Sequence, residues 1–138
     1  MGLIVKYKDY SRYDTPSRLL VFSSATEQLI QSSISVNKLL AIEINKIDEK
    51  RRTIQLEKCF LNVLEGLPSY PTIRGIDVLF NPDYRVDILK LLISAHKNRP
   101  FRLIWPCKCN GGKLIYSEED YPDYRVFDIN DYDITVVE

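Results

Sequence analysis

The chain has 138 residues, 45% of them hydrophobic and 28% charged, with equal numbers of acidic and basic side chains. That supplies one core and one globular domain spanning residues 1–138, and the balanced charge removes the simplest argument for nonspecific nucleic-acid binding, an overall basic domain. No run approaches the roughly 18 apolar residues that cross a bilayer, the first ten residues lack a signal-peptide pattern, and the three cysteines (Cys59, Cys107, Cys109) cannot all pair. These features point to a cytoplasmic protein without a membrane partner.

Leu3 to Tyr7 and Arg18 to Ser23 are short apolar runs suited to strands, separated by a polar stretch that contains Tyr10, Tyr13 and Thr15-Pro16. Ser24-Ala25-Thr26-Glu27 has the form of a capping box, which predicts a short helix. Lys38 to Ile44 (KLLAIEI) reads as a buried strand, and Asp48 to Leu64 as the longest helix, ended by Gly66 and Pro68. Ile73 to Phe80 reads as a strand, Asn81-Pro82-Asp83 as a turn, and Asp87 as the cap of an apolar helix. Phe101 to Trp105 is a further strand.

The order strand, helix, strand, helix, strand predicts an α/β domain with a mostly parallel sheet and crossover helices. Asn110-Gly111-Gly112 then predicts a hairpin, and Ile134 to Val137 an edge strand. Pro82-Asp83-Tyr84-Arg85-Val86 recurs as Pro122-Asp123-Tyr124-Arg125-Val126, which reads as two similar turns and not as a repeat.

Charge is unevenly spread. Arg85 to Arg102 carries Arg85, Lys90, Lys97, Arg99 and Arg102 against Asp87, whereas the charged residues from Ser117 onward are all acidic apart from Arg125. The basic segment suits an acidic partner, or it and the acidic tail neutralise each other on one surface. Tyrosine, present nine times, concentrates with arginine at interface hot spots, which makes Tyr84, Arg85, Tyr124 and Arg125 candidate contact residues.

Catalytic patterns are missing. Gly111-Gly112-Lys113 is followed by Leu114 and lies in a hairpin context, so it does not make the G-x-x-x-x-G-K-[ST] phosphate loop. No G-x-S-x-G elbow occurs. His96 is the single histidine, near a helix end, and Cys107-x-Cys109 lacks the second pair that a four-ligand zinc site needs. The residues themselves imply no cofactor and no metal.

Gly75 to Pro82, Asp87 to Leu92, Asn98-Arg99, Trp105, Gly111 to Tyr116 and Tyr121 to Arg125 together resemble the BrxF-like family, the small P-loop component of bacterial BREX phage-defence systems. The resemblance covers about the second half of the chain. It implies a P-loop-NTPase-like scaffold with a phosphate loop after Arg18 to Ser23, but that strand runs straight into Ser24-Ala25-Thr26-Glu27. Where it implies a magnesium-binding aspartate the chain has Arg74, with Asp77 three residues later on the opposite face of the expected strand.

The expectation is a degenerate ATPase relative that binds no nucleotide, a noncatalytic accessory subunit in antiviral defence that contacts other defence-system subunits. The alternative is a nucleic-acid-binding module gripping phosphates through the basic segment from Arg85 to Arg102, and a small enzyme built on His96 or the cysteines ranks behind both.

Overall fold

The computed structural model describes residues 1–138. One α/β domain is built on six parallel strands in the order β1-β9-β2-β5-β4-β3, comprising Leu3–Val5, Ile134–Val137, Leu19–Phe22, Arg102–Ile104, Thr72–Arg74 and Ile34–Ser35. A smaller antiparallel sheet joins β6 (Lys108–Asn110), β7 (Lys113–Tyr116) and β8 (Arg125–Asp128). The helices are α1 (Glu27–Ser32), α2 (Asn37–Asn45), α3 (Arg52–Glu65) and α4 (Ile88–Asn98).

All four residues of β2 and all four of β9 are buried, as in a parallel sheet covered on both faces. Side chains alternate across a strand, so Leu19 and Val21 enter the main core with Ile134 and Val136, while Leu20, Phe22 and Val137 enter a second cluster behind the sheet. The main core takes the inner faces of α2, α3 and α4. The second is covered by Tyr10, Ala25 and Leu29, the last two flanking or within α1.

The apolar α4 forms where expected, with the Asp87 carboxylate accepting the Lys90 amide at 3.1 Å, and it buries six residues. A single turn of 3-10 helix, Glu49–Arg51, leads into α3, which ends at Gly66. The β6–β7 hairpin turns through Gly111 and Gly112 at φ of 58° and 75°, the pattern of a two-residue type I′ turn. The two Pro-Asp-Tyr segments are indeed similar turns. Tyr84 and Tyr124 each close one by donating a backbone amide to the carbonyl three residues back, at 2.9 and 3.1 Å.

Four local expectations are corrected. Residues 38–44 are not a strand but most of α2, in which Leu40 and Ile44 are buried one turn apart while Leu39 and Ile42 face outward. Thr26, not Ser24, caps α1, its hydroxyl accepting the Leu29 amide at 3.1 Å. The expected strand over 73–80 stops at Arg74, because Gly75 takes φ +74° and Asp77–Phe80 wind into a 3-10 turn. Finally, β9 is no edge strand: it lies between β1 and β2 and is parallel to both.

Aromatic rings fasten the small sheet to the large one. Phe80 stacks on Tyr116 at 3.9 Å and meets Trp105 edge-on at 5.8 Å, and Trp105 in turn packs against Phe127 at 5.8 Å. Trp105 donates its indole N–H to the Ile115 carbonyl at 2.9 Å.

The break after β4 is testable. A Cβ on Gly75 would sit 2.7 Å from Ser35 Oγ, on a backbone that L residues rarely adopt. Gly75→Ala is expected to lower unfolding free energy by about 1–2 kcal/mol in urea, with an unchanged m-value.

Candidate functional site

Ligands of open α/β sheets sit beyond the carboxyl ends of the strands, where the strand order reverses. Here the chain leaves β2 toward β3 at the far edge, returns through β4 and β5, and passes β2 to reach β9. The residues beyond the end of β2 are therefore the first place to look for a site.

That end is closed. The Ser23 amide and hydroxyl both donate to the Val137 carbonyl at 2.9 Å, and the Trp105 amide donates to the Phe22 carbonyl at 2.9 Å. The link from β2 to α1 is Ser23 to Thr26, which contains no glycine, and α1 has six residues. A phosphate cradle needs successive backbone amides turned inward by a glycine-rich loop. This link is too short to form one, and the Thr26 hydroxyl already occupies the Leu29 amide.

Arg74 ends β4 and donates from Nε to Ser33 Oγ at 3.0 Å. Asp77 is in the 3-10 turn and not on the strand, and its carboxylate accepts the Tyr116 hydroxyl at 3.0 Å. The two residues are separately engaged. Nowhere do three or more His, Cys, Asp or Glu side chains gather in a way that could hold a metal. Cys59 is buried in α3, where burial raises its thiol above the ordinary value, and all three cysteines are free.

Cations of the basic segment line different clefts. Arg85 is exposed before α4, Lys90 lines a cleft with Glu57 and Asp87, Lys97 lines a second with Arg18 and Asp133, and Arg99 lines a third with Tyr70. Arg102 is occupied inside the fold: it pairs with Asp14 at 3.1 Å, donates to the Tyr70 carbonyl at 3.2 Å and lies 4.6 Å from the Tyr70 ring centre. The acidic tail does not neutralise this segment through ion pairs, because Arg102 is its one paired cation and its partner, Asp14, lies outside the tail.

The tyrosines divide by environment. Tyr84 is buried in the main core. Tyr70, Tyr116 and Tyr132 donate their hydroxyls to Asp14, Asp77 and Asp87 at 2.6, 3.0 and 2.7 Å, and burial together with these carboxylates pushes each phenol well above its ordinary range. Tyr124 is half-buried, with its carbonyl accepting Arg125 Nη1 at 3.0 Å. The side chains of Tyr70, Tyr84, Tyr116 and Tyr132 thus serve internal packing and hydrogen bonding.

No protein-family model matches the chain, and no curated protein or solved structure is significantly similar to it. No helix is long and apolar enough to cross a membrane.

Two surface features escaped the sequence reading. The first is an apolar groove of about 210 Å³ between α2 and α3, lined by Leu39, Ile42, Val63 and Leu67 among others, with Leu39 43% and Ile42 48% exposed. Assigning residues 38–44 to a strand hid it, since only a helix puts those two side chains side by side on an outer face. The second is a cleft of about 470 Å³ at the amino ends of the strands, lined by Arg18, His96, Lys97 and Asp133 among others.

His96 is only 4% exposed, its Nε2 has no hydrogen-bond partner, and its ring meets Phe101 edge-on at 5.5 Å. Burial therefore lowers its pKa from the ordinary 6.5. Because the unfolded chain takes up this proton first, the stability contributed by neutral His96 is complete above about pH 6.5 and declines as pH falls below it. Replacing His96 with Leu is expected to flatten that part of the stability–pH profile, measured by urea unfolding between about pH 7 and 5. An unchanged slope would mean that other groups cause it.

Proposed function

We propose that this chain is a noncatalytic binding and assembly subunit, a BrxF-like component of an antiviral defence system that keeps the α/β scaffold without its nucleotide site. The observation that carries this reading is the glycine-free link Ser23 to Thr26 at the strand end where the resemblance calls for a phosphate loop. Arg74, a cation at the end of β4 where a magnesium-binding aspartate would stand, supports it further. Such a scaffold acts by presenting surfaces.

The α2–α3 groove is the surface best suited to a protein partner. It sets two neighbouring aliphatic side chains beside a shallow apolar trough, whereas the other strongly exposed aliphatic residue of these helices, Ile54, lines a separate cleft. Glu43 and Asn62 at its border supply polar groups for register.

Two measurements test the proposal. Calorimetric titration with ATP and magnesium should give no saturable heat, and no turnover should be detected in the same sample. Co-expression with the products of neighbouring genes should yield a stable complex, from which Leu39→Lys with Ile42→Lys is expected to dissociate while the melting temperature of the free chain stays unchanged. Nucleotide binding that Arg74→Ala weakens, or failure to recover any complex, would contradict the proposal.

A further inference from the structure

Between β1 and Asp14 the chain interleaves cations with aromatic rings: Lys6, Tyr7, Lys8, Tyr10, Arg12 and Tyr13, with Asp9 the one acid. Residues Tyr7–Arg12 form a 3-10 turn at the carboxyl end of β1, the outermost strand of the large sheet. The turn is firmly placed. The Tyr7 amide donates to the Glu138 carbonyl at 2.9 Å, and the Tyr10 ring meets Phe22 edge-on at 5.3 Å.

With Tyr10 turned inward, Lys6, Lys8 and Arg12 project outward, and none of them has an ion-pair partner. All three line a shallow cleft of about 390 Å³ with Asp9 and Tyr13. Tyr7 and Tyr13 remain 38% and 37% exposed beside these charges. A neutral chain thus gathers three cations against the single carboxylate of Asp9, with aromatic rings beside them.

We propose that this cleft binds single-stranded nucleic acid, with Lys6, Lys8 and Arg12 on phosphates and an unpaired base stacked on Tyr13. Cations that track a backbone, combined with rings on which bases stack, are the means by which proteins hold single strands without reading sequence. A duplex fits less well, because its bases are already stacked and this short turn offers no helix to fill a major groove. Guarding the sheet edge against strand addition would explain Lys6, which follows β1 directly, but not Lys8 and Arg12 within the turn. The site is separate from the α2–α3 groove, so either surface can fail its test without the other.

The test uses the full chain and a fluorescein-labelled single strand of about twelve thymidines, read by anisotropy. Three phosphate contacts on a single strand give a log–log salt slope near −2, so affinity should fall about 20-fold between roughly 50 and 200 mM salt. Lys6→Ala with Lys8→Ala and Arg12→Ala should abolish most of that salt dependence, and Tyr13→Ala should weaken binding at least about fivefold. Lys90→Ala with Lys97→Ala should change neither, and duplex of the same length should compete poorly. No binding at low salt, binding indifferent to the triple substitution, or displacement of the strand by polyglutamate at equal charge concentration would overturn the proposal. The last result would assign the cleft to an acidic protein segment.

Discussion

The strand β2 is buried on both faces, and most of the architecture answers that one requirement. Leu19 and Val21 are covered by the helical layer of α2, α3 and α4, which has ample apolar surface. Leu20 and Phe22 face the other way, where the chain offers only the six-residue α1 and the short turn that follows β1. Each fully buried Leu or Phe contributes about 1.5–3 kcal/mol, so leaving that face to water would cost much of the stability of a domain this size. Tyr10, packed on Phe22, is therefore a structural necessity.

The same packing sets what the surface can do. Fixing Tyr10 inward leaves Lys6, Lys8 and Arg12 outward, and the glycine-free link from Ser23 to Thr26 leaves no phosphate cradle at the end of β2. On the opposite side of the sheet, α2 and α3 spend their inner faces on the core and expose Leu39 and Ile42. The two surfaces proposed for recognition are thus an apolar groove between α2 and α3 and a basic cleft at the carboxyl end of β1.

Much of this was legible in the residues. The runs at 19–22 and 102–104, the Asp87 cap before an apolar helix, and Asn110-Gly111-Gly112 are local signals whose physics does not depend on distant neighbours. Residues 38–44 were not legible, because a short apolar run suits a buried strand or a helix equally, and only the presence of α3 alongside decides. Nor was the occupation of Arg102, whose partner Asp14 is 88 residues away. The alternation of Lys and Arg with Tyr between residues 6 and 13 was visible, but its meaning depends on which tyrosine turns inward. That is a property of Phe22 and the sheet.

Amide hydrogen exchange over residues 6–13 of the free protein tests the central claim most directly. If this segment is an integral cover of the sheet, the Tyr7, Asp9 and Tyr13 amides, which donate to the Glu138, Lys6 and Tyr10 carbonyls, should exchange far more slowly than a free peptide. Exchange of the whole segment at free-peptide rates, with β2 still protected, would contradict the account. The second face of the sheet would then be closed by something other than this turn.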